Sequence, residues 1–373
     1  MTQPRGQRPK VLHFVTGGFS GATQVAVDLV RAHGASGRFD ALLVLRRKRT
    51  TLPERVRALQ ADGLRVELVP GWSHAATVWA LASLCRRFQP DILVAHGYSE
   101  HLWGRYAGLL AGVRHLVHVE HNSRERYNAW RLVQARWLAR RTDAIVGCSE
   151  GVRSALLGYG FPQDRVHAIP NGIRLEPYAN APAHTFVQRI PGIVMAARFA
   201  RQKDHATLLQ AVALLRTRGL RPPVLLAGGG KASARRAAER LAQTLGLADQ
   251  VTFLGHCNDV PGLLKGHQIC VLSTHYEGMP LSLIEGMAAG CAVVGSQVVG
   301  VQEVVDSGRT GLLVEHANPQ ALADALATLL NQPQDAARMA AAAHAEVLQR
   351  YGLNTMTERY EALLGSLLEK SLP

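Results

Sequence analysis

The chain has 373 residues, 47% of them hydrophobic and 19% charged, a balance that fills ordinary globular cores and excludes a disordered or fibrous chain. That length favours two domains over one. The formal net charge of +14 is held unevenly: residues 1–180 carry 25 Lys+Arg against 13 Asp+Glu, and the remainder carries 17 against 15. A cationic half seeks a polyanion, whether nucleic acid, an anionic membrane or a phosphorylated substrate.

No stretch approaches the roughly 20 consecutive apolar residues that span a bilayer. The opening MTQPRGQRPK is polar and basic and lacks the apolar core of a secretory signal, so a cytoplasmic location is expected. Cys85, Cys148, Cys257, Cys270 and Cys291 stand apart in apolar segments, with no Cys-x-x-Cys pair and no His-Glu-x-x-His spacing. They read as buried reduced thiols, and neither a metal nor a cofactor is expected.

In chain order, VLHFVTG (11–17) reads as a strand. Gly17, Gly18 and Gly21 follow it and open a helix over Thr23–His33, with apolar Val25, Leu29 and Val30 on one side. Their Gly-Gly-x-x-Gly spacing is not the Gly-x-Gly-x-x-Gly of dinucleotide sites. Further strands read at 41–45, 65–69, 91–97, 115–121 and 144–149, with helical patterns between them. The basic run RRKR (46–49) follows the second strand. His121 and Asn122 follow the fifth, with His118 read on the face opposite Glu120. RERYNAWRLVQARWLARR (124–141) sets Arg between apolar residues at helical spacing, Trp130 and Trp137 among them, and suits an anionic membrane surface.

The alternation pauses at IPNGIRLEPYANAPAHTFVQRIPG (169–192), read as a linker between a first domain at 1–180 and a second at 190–352. Strands resume at 192–198, 223–230, 251–255, 269–274, 292–296 and 311–314. Pro319–Arg350 reads as helix, and Leu353–Leu372 as one more. Strands alternating with helices imply two successive Rossmann-like α/β domains with parallel sheets. Ligands of such sheets bind beyond the carboxyl ends of the strands, so two facing domains are expected to enclose a site in the cleft between them. AGGG (227–230) is a strand-to-helix turn that either approaches a nucleotide or is merely tight.

HYEGMPLSLIEGMAAGCAVVGS (275–296) is the most informative segment. Pro280 suits the first turn of a helix. Glu285 then projects from that helix, and Glu277 lies in the loop entering it. The N–H groups of Gly278, Met279 and Leu281 surround a helix N-terminus, a place for phosphate. One carboxylate there can hold sugar hydroxyls while the other holds a ribose diol, with a diphosphate between them.

Glu277-x7-Glu285, set within EGMPLSLIEGMAAG, resembles the signature of retaining family 4 glycosyltransferases of the GT-B fold, and the resemblance covers nearly the whole chain. It implies two Rossmann-like domains facing across a central cleft, with the last helix (about 353–373) returning to the first domain. The activity it implies is transfer of a sugar from a nucleotide-sugar donor, UDP-linked by preference and GDP-mannose as the alternative. The acceptor is a glycan or lipid-linked molecule of bacterial surface polysaccharide or lipopolysaccharide synthesis. A front-face mechanism without a metal ion follows, and no Asp-x-Asp motif occurs in the chain.

By the same resemblance, Arg198 and Lys203 of ARFARQKDHATLLQAV (197–212) hold the donor diphosphate as charge grows on it. Phe253 and Gly255 of VTFLGHCNDVPGLL frame the nucleobase. Gly18, Gly278, Met279, Pro280, Leu281 and Glu285 complete the donor site. His121 and Glu277 join Arg198 and Lys203 as catalytic residues, and Gly17, Glu120 and Asn122 lie on the acceptor side. Asn171 and Gly172 shape the hinge that closes the first domain. Thr23 and Gln24 depart from the Glu-Arg common in the family, which leaves acceptor contacts open. The basic first domain would rest peripherally on the inner face of the cytoplasmic membrane. Two rivals are a phosphorylase or epimerase of the same fold, for which no lysine stands in a pyridoxal-type setting, and a nucleic-acid-binding protein, for which no zinc module or helix-turn-helix is present.

Overall fold

The computed structural model describes residues 8–124, 127–179 and 185–369. The first seven residues of the basic opening, Glu125 and Arg126 of the Arg-rich stretch, residues 180–184 of the expected linker and 370–373 of the last helix lie outside the described residues. The chain folds as two units: 1–172 together with 353–373, and 173–352.

In the first unit, β1 (Lys10–Thr16), β2 (Asp40–Arg46), β3 (Val66–Val69), β4 (Ile92–His96), β5 (His115–Glu120), β6 (Ala144–Gly147) and β7 (Val166–Ala168) form one parallel sheet. Its order is β3-β2-β1-β4-β5-β6-β7. Its helices are α1 (Gly21–Ser36), α2 (Pro53–Ala61), α3 (His74–Phe88), α4 (Tyr98–Ala111), α5 (Ala129–Ala139), α6 (Glu150–Gly158) and the terminal α14 (Leu353–Glu369).

Successive strand residues point to opposite faces, which splits the core in two. Val11, Ile92, Val94, Val117 and Val119 pack against Val25 and Leu29 of α1 and against Met356, Tyr360, Leu364 and Leu367 of α14. Leu12, Phe14, Leu93, Ala95 and Leu116 pack against α3 and α4. The last helix therefore belongs to the first unit's core.

In the second unit, β8 (Ile190–Ala196), β9 (Val224–Ala227), β10 (Val251–Gly255), β11 (His267–Leu272), β12 (Ala292–Ser296) and β13 (Leu312–Val314) are again all parallel, in the order β10-β9-β8-β11-β12-β13. The helices are α7 (His205–Thr217), α8 (Ala232–Thr244), α9 (Val260–Lys265), α10 (Leu281–Ala288), α11 (Val299–Gln302), α12 (Pro319–Asn331) and α13 (Pro333–Arg350). In both sheets the strand order reverses once, between β1 and β4 and between β8 and β11. Such a switch point opens a crevice at the strands' carboxyl ends.

Three expectations need correction. Most of the expected linker is folded into the second unit: 3₁₀ turns form at Glu176–Tyr178 and Phe186–Gln188, Tyr178 is buried, and Gln268 donates to the Phe186 carbonyl. Turns this short have no period to read. The segment Pro319–Arg350 is two helices, because Pro333 lacks the N–H to continue α12 and instead opens α13. Finally β7, three residues long, was not anticipated as a strand.

Candidate active site

In the second unit the segments after β8 and β11, on either side of the switch point, are laced together. Asp204 N–H donates to Ser273 O (3.0 Å), His275 N–H to Gln202 O (2.9 Å), and Gln202 Nε2 to Tyr276 O (2.8 Å). Thr274 Oγ1 donates to Gln202 O at 3.0 Å. Asp204 also caps α7 by accepting from Thr207 N–H. This lacing brings Lys203 onto Glu277 as an ion pair, and Thr274 Oγ1 lies 3.0 Å from the same Glu277 oxygen. Arg198, earlier in the same segment, is exposed.

Pro280 occupies the cap position just before α10, one residue earlier than expected, and Glu285 sits mid-helix. Glu277 and Glu285 thus flank the turn as read from their spacing. The ring of exposed N–H groups is not found in this form: Glu277–Pro280 is buried, and Leu281 N–H donates to Met279 O at 3.1 Å.

Burial raises the Glu285 carboxyl to about 7. Burial first, and then the Glu285 charge, also pushes the Tyr178 phenol up. On the expectation that Glu285 holds a ribose diol, both of its oxygens accept only when the carboxyl is ionised, so nucleotide binding should release a proton here. Affinity for a nucleoside diphosphate is expected to plateau above about pH 8 and to weaken up to roughly tenfold per pH unit below about 6. Calorimetric titrations across that range check this, and a flat profile would remove Glu285 from the diol.

The glycine turn after β9 is explained by backbone packing. Gly228 has φ +153°, its N–H donates to Gly255 O (2.6 Å), and a Cβ there would stand 2.1 Å from Ala197 O. Phe199 N–H donates to Gly229 O at 2.7 Å, and the Phe199 ring lies 6.0 Å from that of Phe253. The turn therefore holds Phe199, Phe253 and Gly255 together where β8, β9 and β10 end.

In the first unit, Gly17 and Gly18 follow β1. A Cβ on Gly17 would come within 2.7 Å of Arg46 O, and Thr51 Oγ1 donates to Gly17 O. Thr23 donates to Thr16 O and accepts from Ser20 N–H, and so ties this loop down. The basic run RRKR is less available than expected: Arg46 is buried beside Glu100 (3.4 Å), and Lys48 pairs with the same carboxylate (3.1 Å).

His121, half-buried, follows β5. Burial lowers its imidazole to about 4, so it is neutral near pH 7. Glu120 Oε1 accepts from the N–H groups of His121 (2.8 Å) and Asn122 (3.1 Å), fixing the loop backbone. His118 was expected on the face opposite Glu120, but residues two apart share a face, and His118 Nε2 lies 3.5 Å from Glu120 Oε2. That face also holds buried Arg105, which donates to His101 O (2.9 Å), Thr142 Oγ1 (3.1 Å) and His101 Nδ1 (2.6 Å). His101 Nε2 lies 2.9 Å from Tyr127 Oη. Sequence reasoning missed this network because its members lie up to 41 positions apart and share no motif.

Among the described residues, His101, His118 and Glu120 form the one group spaced for a metal ion, with ligand atoms within 4.8 Å of one another. Their chemistry does not suit one. The guanidinium of Arg105 already supplies a positive charge there, and it donates to His101 in a way that places the ring proton on Nε2.

Comparison with known proteins accords with this geometry. Residues 19–177 match the family model described as Glycosyltransferase Family 4, and residues 181–346 the model described as Glycosyl transferases group 1. Among solved structures, HepE of Anabaena, crystallised with UDP and glucose, superposes with TM-score 0.82 at 21% identity over 96% of this chain and all of HepE. Sucrose-phosphate synthase of Thermosynechococcus elongatus gives TM-score 0.83 at 21% identity over 98% of this chain and all of that protein. Two Rossmann-like parallel-sheet units of this kind are the fold of GT-B glycosyltransferases.

The chain belongs to the family 4 glycosyltransferases. It is 33% identical to EpsF of Bacillus subtilis over 218 residues, 54% of this chain, and the match spans only about half of EpsF, 56%. It is 28% identical over 321 residues to the D-inositol 3-phosphate glycosyltransferase of Xylanimonas cellulosilytica, 78% of this chain and 76% of that protein. The lipopolysaccharide core biosynthesis glycosyltransferase LpsE of Rhizobium meliloti is 26% identical over 61% of this chain and 65% of its own length.

Proposed function

We propose that this chain transfers a sugar, with retention of anomeric configuration and without a metal ion, from a UDP-sugar to a glycan or lipid-linked acceptor of a bacterial surface polysaccharide. The observation that carries this reading is the switch-point arrangement of the second unit. Glu277 and Glu285 flank the turn into α10, and Lys203 is held against Glu277 by the lacing of two loops. Glu285 binds the ribose diol, Lys203 and Arg198 face the diphosphate, and Glu277 holds sugar hydroxyls. Phe253 and Gly255 frame the base, and the turn from Gly278 to Leu281 lies along the phosphates.

In the first unit, Gly18 and His121 are assigned to the donor and its transferred sugar, and Gly17 and Asn122 to the acceptor. Glu120 acts there through the loop backbone that it holds. The departing diphosphate takes the acceptor proton, so the protein contributes orientation and charge stabilisation. HepE, crystallised with UDP and glucose, supports a UDP-linked donor.

Stereochemistry tests this without knowing the acceptor. The chain is expected to hydrolyse UDP-glucose slowly in EDTA and to release α-glucose first, as seen by proton NMR before mutarotation. Release of β-glucose would overturn retention, and dependence on added magnesium would overturn metal-independent transfer.

Peripheral attachment to an anionic membrane is part of the proposal. Among the described residues no helix is long and apolar enough to cross a membrane. Exposed Trp79 (α3), Leu110 (α4), and Trp130, Val133 and Trp137 (α5) lie on three helices packed in succession, with Arg141 3.9 Å over the Trp137 ring. Aromatic and cationic residues together suit a headgroup layer. The protein should co-sediment with phosphatidylglycerol vesicles and not with phosphatidylcholine, and should come off at high salt. Equal binding of Trp130→Ser/Trp137→Ser and the unaltered protein would exclude this face.

A further inference from the structure

β1, β4 and β5 lie side by side, and three histidines stand on the sheet face covered by α1 and α14: His13 within β1, His96 ending β4, and His121 just beyond β5. They form a continuous chain. His13 Nδ1 lies 3.0 Å from His96 Nε2, and His96 Nδ1 lies 3.4 Å from His121 Nε2. His13 and His96 are wholly buried. Burial holds both imidazoles well below their ordinary value, and each carries one ring proton at neutral pH.

A neutral imidazole has one donor and one acceptor, so two bonds among three neutral rings allow only two consistent proton arrangements. In the first, each ring donates inward, from His121 to His96 to His13, and His13 is left with an N–H on Nε2. In the second, each ring donates outward, from His13 to His96 to His121, and His121 is left with an N–H on Nδ1. The two ends of the row decide between them. His13 Nε2 is buried without a hydrogen-bond partner. The next ring, His33, has its Nδ1 3.2 Å from Glu361 Oε1, and no hydrogen bond joins it to His13 among the described residues. Each arrangement leaves one ring N–H without a protein partner, on His13 Nε2 or on His121 Nδ1. His13 is wholly buried within β1, whereas His121 is half-buried in the loop beyond β5, the less costly place for that N–H, which favours the outward arrangement. His121 Nδ1, likewise buried without a protein partner, then carries the proton at the outer end of the row.

We propose that His96 and His13 are positioning residues that fix His121 as its Nδ1–H tautomer, so that it meets the sugar as a hydrogen-bond donor to an oxygen lone pair and not as a general base. The tautomer follows from this chain's own geometry. Its use in transfer rests on the donor-site reading above.

The two parts separate experimentally. Full-length protein labelled with ¹⁵N-histidine, without ligand, is examined by long-range ¹H–¹⁵N NMR, with His121→Gln used to assign the signals. Nδ1 of His121 is expected to appear as the protonated nitrogen and Nε2 as the bare one. His96→Leu should abolish that preference, whereas His96→Asn, whose amide N–H can take the place of Nδ1–H, should retain it. An Nε2–H tautomer in the unaltered protein, or the same tautomer in His96→Leu, would overturn the proposal.

With UDP-glucose as the probe, His96→Leu should lower kcat for hydrolysis on the order of tenfold with KM within about twofold, and His96→Asn should recover most of it. A restored tautomer without restored kcat would overturn the role in transfer. Failure of the unaltered protein to hydrolyse UDP-glucose would count against the donor assignment and leave the tautomer result standing. Should His96→Leu fail to fold, the same contrast is read between His96→Asn and His13→Leu.

Discussion

Lys203→Met should lower kcat and kcat/KM for transfer together, by about 10²–10³-fold, while donor binding changes much less. The ammonium is positioned by loop lacing and by the Glu277 carboxylate, which leaves it oriented before substrate arrives. Charge on the leaving diphosphate grows only as the glycosidic bond breaks, so a fixed cation stabilises the transition state more than the ground state. Met keeps the length and apolar stem of Lys and removes only the charge. The measurement is steady-state kinetics with the donor varied, accompanied by a melting curve. Activity within threefold of the unaltered enzyme would make Lys203 a structural tie for Glu277 and would move the catalytic charge to Arg198.

Arg105→Leu should be the most destabilising single change in the first unit, by about 3 kcal/mol. The guanidinium is fully buried, makes three hydrogen bonds and remains charged, burial lowering it only to about 10. Tyr127 and Tyr106, once ionised, and the Glu120 carboxylate favour its protonated form. Removing it takes away the cation that bonds His101 and faces the Glu120 carboxylate. For a unit of this size the cost corresponds to a fall of roughly 6–12 °C in the transition that reports the first unit. The double variant Arg105→Leu/Glu120→Gln should recover part of the loss, because it removes the charge left behind. Additive losses would show that Arg105 and Glu120 are uncoupled. Because Glu120 also holds the His121 backbone, the single variant should lose activity before it unfolds.

The fold was legible because each buried parallel strand is a short β-rich run bounded by helix and turn signals, and Glu277-x7-Glu285 flanks the turn into α10 as its spacing implies. Arg198 and Lys203 stand five positions apart in the one segment after β8, so their shared placement is local. What escaped is held together by register across the sheet. His13 and His96 lie 83 positions apart, each an unremarkable residue in an apolar strand, and only the adjacency of β1 and β4 makes them partners. Gln202 and Thr274, which tie Lys203 to Glu277, likewise meet only when β8 and β11 become neighbours. The RRKR run misled in the opposite way: its first and third members are drawn to Glu100, a residue on α4 that local charge counting cannot see.

The second unit is proposed to hold a nucleotide-sugar site that needs no metal. Such a site is tested most directly by a thermal-shift and calorimetric titration with UDP, GDP and ADP, each in EDTA and in magnesium. A ligand that binds the folded state raises its apparent stability, by about 2.7 kcal/mol at a hundredfold excess over Kd. UDP is expected to stabilise the protein equally with and without magnesium, and Glu285→Ala to abolish the shift. No shift with any nucleotide, or a shift that appears only with magnesium, would contradict it.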